Sequence, residues 1–101
     1  MGPQRTHAAS IRWSSSQARL GLPDEVRVVD PAWLAGEVPQ RDASWSLVCE
    51  FAATPRRQGN PSLAQVRYLF PEDPHEQLAP GAKLQLFERG TTGVAHVEII
   101  D

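Results

Sequence analysis

The chain has 101 residues, 41% hydrophobic and 22% charged, with a formal net charge of −2. That length fits one domain with its own core and no need of a metal or disulfide staple, and the composition excludes wholesale disorder. A slightly acidic balance argues against a dedicated nucleic-acid binder, the single Cys49 excludes an internal disulfide framework, and no apolar run approaches the ~20 residues of a membrane helix.

In chain order, residues 1–22 read as a poorly ordered or loosely docked segment and residues 23–101 as the folded domain. The segment is rich in Ser and Arg (Arg5, Arg12, Arg19, Ser14 to Ser16) and carries no sustained period. No continuous apolar stretch follows its arginines, so it is not read as a secretory signal. Ile11 and Trp13 alternate, which suits one short strand or docked piece, and Ser16 to Leu20 suits a helical turn closed by Gly21.

Val26 to Asp30 is a short β-branched run. Asp30-Pro31-Ala32-Trp33-Leu34-Ala35-Gly36 predicts a helical turn, with an N-cap acceptor, Pro at the first helical position and a terminating Gly. Trp45, Leu47, Cys49, Phe51 and Ala53 alternate with their neighbours and predict a half-buried strand with Trp45 in the core. Val66, Tyr68 and Phe70 repeat the period of two, as do Leu84 with Leu86, and Ala95, Val97 and Ile99. Between these runs, Asp73-Pro74-His75-Glu76 has the spacing of a capping box. Pro80-Gly81 suits the centre of a type II turn, and Gly90-Thr91-Thr92-Gly93 suits a hairpin. Short strands without helical crossovers predict an all-β antiparallel barrel or sandwich carrying one or two short helical turns.

The stretch from Leu63 to Ile100 narrows that choice. It runs Ala64-Gln65-Val66-Arg67-Tyr68-Leu69-Phe70-Pro71, an acidic loop, Leu78-Ala79-Pro80-Gly81, a strand ending in Glu88, a Gly-containing hairpin and a last strand. This order resembles small bacterial standalone proteins related to the C-terminal β-barrel domain of elongation factor Tu. The resemblance implies a six- or seven-stranded antiparallel barrel. It does not carry translation or GTP hydrolysis with it, because no phosphate-binding GxxxxGK[ST] loop and no GTPase domain are present.

The residues that bear chemistry are sparse. His7, His75 and His96 sit in no metal-ligand spacing, so no metal and no cofactor are expected. His96 and Glu98 share a strand face, and His75 lies among Glu72, Asp73 and Glu76; a solvated face and a helix cap account for these acids. Cys49, inside an alternating strand, is expected to be an inert core thiol, and Ser14 to Ser16 lack a nucleophile elbow. Arg56 and Arg57 stand out in the Thr54 to Ser62 loop, since guanidinium forks suit carboxylates and phosphates. Trp33 is either a cap on a barrel end or an exposed anchor.

Taken together these residues predict a non-enzymatic, cytoplasmic binding module of accessory or immunity type. Its partner is a protein contacted through Arg56, Arg57 and Trp33, with no membrane role; monomer and homodimer are both left open. An RNA-binding barrel is the alternative partner reading, and a small hydrolase or isomerase built on His75 and His96 is the enzymatic one.

Overall fold

The computed structural model describes residues 5–35, 45–88 and 92–101. Their elements, in chain order, are β1 (His7–Trp13), α1 (Ser15–Leu20), β2 (Arg27–Leu34), β3 (Trp45–Glu50), α2 (Pro55–Gln58), β4 (Ser62–Tyr68), a 3₁₀ turn (His75–Gln77), β5 (Lys83–Glu88) and β6 (Thr92–Ile99). The described strands close a six-stranded antiparallel barrel in the order β1-β4-β3-β2-β5-β6. The all-β barrel expected from sequence is therefore the fold observed.

Strand alternation fills the interior. Ile11, Leu47, Val66, Leu84, Leu86 and Val97 turn inward and are buried, each contributing roughly 1.5–3 kcal/mol by leaving water. Leu78, from the loop after β4, plugs one end of the barrel. At the other end the Trp13 and Phe51 rings pack with centroids 6.4 Å apart.

The first strand comes from the segment read from sequence as poorly ordered or loosely docked, around the alternating Ile11 and Trp13. Ala9, Ile11 and Trp13 face the core, and β1 forms ladders with both β4 and β6. The barrel thus begins at His7, not after residue 22. Ala8, Ala9 and Ser10 are small, so the periodic signal is weak although the pairing is complete. The helical turn that follows is as expected: Ser14 Oγ accepts from Gln17 N–H at 3.1 Å, and Gly21 closes α1 with φ 104°.

Three local expectations are corrected. Asp30 to Leu34 is strand, not helix: the even residues of β2, Val28, Asp30, Ala32 and Leu34, share the inward face, and burying Ala32 and Leu34 outweighs the local helix-start signal. Gly36 lies outside the described residues. Asp73 does not cap the 3₁₀ turn; its carboxylate turns back to accept from Phe70 N–H at 2.9 Å, and the turn has no side-chain cap. Trp45 has the inward parity of Leu47 but stands at the open end of β3, 39% exposed rather than in the core.

Two turns agree with their sequences. Ala82 N–H donates to Ala79 C=O across Pro80-Gly81, with Gly81 at φ 87°, a positive value that a side chain disfavours. β5 and β6 pair as a hairpin, while the tip at 89–91 lies outside the described residues.

Candidate functional site

The end of the barrel that carries both helices gathers the residues best placed for recognition. α2 starts at Thr54, whose Oγ1 accepts from Arg57 N–H at 3.3 Å, and Pro55 at its first turn is buried. Gln58 then ties the helix to the barrel: its side-chain amide donates to Ala53 C=O and Leu63 C=O and accepts from Leu63 N–H. Arg56 N–H donates to Pro23 C=O, which fixes α2 against the loop that leaves α1. Arg56 and Arg57 therefore project from a braced turn into solvent.

Their surroundings were not legible from sequence. A methyl on Gly21 would stand 3.8 Å from Arg56 Nη2, so the guanidinium passes close to the end of α1. There Leu20 is 85% exposed, and Arg19 beside it is exposed too. Arg56 Nη1 also pairs with Asp24 Oδ2 at 3.5 Å, a solvated contact of small energetic weight. The Arg56 guanidinium thus reaches the end of α1, where the preceding residues, Arg19 and Leu20, are exposed.

Trp33 does not join this patch. It is buried on the outer side of β2, edge-on to Phe87 with centroids 4.5 Å apart, and has no indole face open to a partner. Its Nε1 has no hydrogen-bond acceptor among the described residues. Of the two sequence readings of this residue, packing replaces exposure.

The histidines are held apart. His75 lines a cleft with Arg5, His7, Pro71 and Glu76 at the opposite end of the barrel, its Nε2 against Phe70 C=O at 2.8 Å. His96 lies on the outer wall in a different groove with Ser10, Arg12, Lys83 and Glu98. The two linings share no residue. Glu72, Asp73 and Glu76 follow β4 whereas Arg56 and Arg57 precede it, so the acidic and basic loops stand at opposite ends of that strand and do not meet. Among the described residues no three His, Cys, Asp or Glu side chains are close enough to hold one metal ion, and no helix is long and apolar enough to cross a membrane.

Cys49 is fully buried within β3, and burial first, with the charge of Asp30 second, pushes its thiol far above the ordinary cysteine range. It is held as the neutral thiol, the unreactive form.

A further cleft of about 270 Å³ opens beside α1, bounded by Trp13, Gln17, Glu25, Arg27, Val28 and Val94 among others. Comparison of the chain with protein-family models, with curated proteins and with solved structures gave no match.

Proposed function

We propose that this barrel is a non-enzymatic protein-binding module that contacts its partner with the α1–α2 end. The observation that carries the reading is the exposed Arg56–Arg57 pair on a helix braced by Gln58, with the Arg56 guanidinium reaching the end of α1, whose last residue, Leu20, is 85% exposed. Exposed arginine forks on a braced turn, with an exposed apolar residue at the neighbouring helix end, suit a protein contact whose main chain loses little freedom on binding. Its complement is an acidic surface with an apolar side chain beside it.

Other features support a binding role over a catalytic one. His75 and His96 line separate clefts, and the thiol of Cys49 is buried and neutral. A cytoplasmic setting and a kinship with the elongation-factor barrel belong to the same proposal. The kinship rests on the order of elements over Leu63 to Ile100 and on the Pro80-Gly81 turn.

The test is capture from lysate with the wild-type chain and with Arg56→Glu/Arg57→Glu, followed by binding of the purified partner. The expected result is one acidic protein retained by wild type and weakened at least about tenfold by the double reversal, a loss of roughly 1.4 kcal/mol. Equal binding by both proteins overturns the reading. Recovery of RNA alone, with affinity falling steeply in salt, replaces it with the nucleic-acid reading.

A further inference from the structure

We propose that the outer wall of the barrel between Leu63 and Ile100 receives an apolar side chain of an acidic partner segment. The proposal rests on the protein-binding reading above and deepens it by naming the segment's chemistry: acidic toward α2 and apolar beyond it.

Strand alternation builds this wall. Ala9 and Ile11 of β1 face the core, so Ala8 and Ser10 face out. β1 lies between β4 and β6. Ser10 stands opposite Leu63 of β4, and Ile100, the residue after β6, donates its N–H to Ala8 C=O at 2.8 Å. Leu63 and Ile100 therefore rise on the two sides of a strand whose outward side chains are small. Between them is a trough of about 220 Å³, bounded by Ala8, Ala52, Leu63 and Ile100, with Glu50 and Gln65 as polar members. Leu63 is 61% exposed and Ile100 55%. Two apolar side chains of this size, held in water around a recess, gain by being covered.

Continuity with α2 selects the occupant. Gln58, the last residue of α2, donates to Leu63 C=O at 2.9 Å and accepts from Leu63 N–H at 2.8 Å. One wall of the trough is thus fixed directly to the helix that carries Arg56 and Arg57. Charge agrees with this placement. Glu50, the carboxylate of the trough, lies 4.0 Å from Arg67 Nε and is partly offset by it. The Arg57 guanidinium has no acidic partner among the described residues, so the unbalanced cation lies on the α2 side.

Size argues against a second copy of the chain as occupant. A stable dimer buries about 800 Å² per partner, and two half-exposed side chains with two alanines fall well short of that. They match one aliphatic side chain, seated in the trough while charges beside it fix the register.

Methyl NMR on the intact chain, labelled at Leu and Ile, tests the trough. The probe is a capped heptapeptide, Glu-Asp-Gly-Leu-Gly-Asp-Glu, compared with a copy carrying Ser in place of Leu. At millimolar concentration the leucine peptide is expected to shift the Leu63 and Ile100 methyls progressively, while those of the core residues Ile11 and Leu47 stay in place. Its affinity is expected to exceed that of the serine copy by at least about fivefold, as burial of one apolar side chain implies. No shift at Leu63 and Ile100, or equal shifts from the serine copy, overturns the proposal. Leu63→Asn/Ile100→Asn changes two exposed side chains and is expected to keep the wild-type melting temperature while erasing the difference between the peptides. A difference that survives in this variant also overturns it. Arg56→Glu/Arg57→Glu separates the proposal from the reading beneath it. Weaker binding of both peptides by that variant, with no methyl shift at Leu63 and Ile100 in wild type, keeps the arginine surface and removes the trough. Leucine-dependent shifts with unchanged affinity in that variant keep the trough and remove the arginine surface.

Discussion

The Asn60 amide lies alongside the main chain of Trp13, accepting from its N–H at 2.8 Å and donating to its C=O at 3.1 Å. The β1–β4 ladder ends at Ile11 with Ser62, so Asn60 does for Trp13 what another strand residue would do. Trp13 Nε1 also donates to Ser62 Oγ at 3.1 Å, which completes the polar frame around this ring. Asn60→Ala removes two bonds from a half-buried backbone and is expected to lower unfolding stability by about 1–3 kcal/mol in urea titration. Asn60→Asp keeps the acceptor and loses the donor, so its midpoint should fall between the two. Cys49 makes a second prediction at this scale. Its thiol stays protonated in the fold, while the unfolded thiol ionises above about pH 8.5. Above that pH the native state binds more protons than the unfolded one, so stability must fall as pH rises, with a limiting slope of about 1.4 kcal/mol per pH unit. Cys49→Ala should remove that dependence in urea titrations between pH 8 and 10. A parallel decline in both proteins would assign it to other groups.

Strands with strong alternation were legible, and those with mixed signals were not. The Trp45 to Phe51 run and the last two strands show large apolar residues every second position, and they pair where the pattern puts them. β1 hid because Ala8, Ala9 and Ser10 are small on both faces. β2 hid because Asp30-Pro31 is a good helix start; only its ladder with β3, where Pro31 stands opposite Ser46, shows that it is strand. The Arg56–Arg57 pair could be read as exposed, since it follows a core strand within a loop. That Arg56 would run beside the end of α1 could not, because that approach joins residues far apart in sequence and has no short-range signature. Two tests belong to elements. Gly81 holds φ 87° with open space around a Cβ, so Gly81→Ala meets only backbone strain and is expected to cost about 1–2 kcal/mol. Deleting residues 1–13 removes β1 and both its ladders. The truncated chain should lose cooperative thermal unfolding, whereas a detachable tail would leave it intact.

Each end of the barrel carries charges of both signs, Arg56 with Asp24 at the helical end and Glu76 with Arg5 at the other. Arg19, Arg56 and Arg57 stand at the helical end, and Glu72, Asp73 and Glu76 at the end reached after β4. The seven residues of β4 span roughly 20 Å at about 3.3 Å each. That is more than twice the screening length of about 8 Å at physiological ionic strength. The two ends therefore act on a partner independently, despite a net charge of only −2. If recognition works through the helical end, reversing charge there and reversing it at the far end must give different outcomes. Arg56→Glu/Arg57→Glu is expected to slow association and to flatten its salt dependence, as loss of steering charge does. Glu72→Lys/Glu76→Lys, which changes net charge by the same magnitude, should leave the association rate within about twofold at physiological salt and shift it only when salt is lowered to about 10 mM, where the screening length reaches about 30 Å. Stopped-flow association at both salt concentrations separates the cases. Equal sensitivity to the two variants at physiological salt would mean that the partner spans the barrel from end to end.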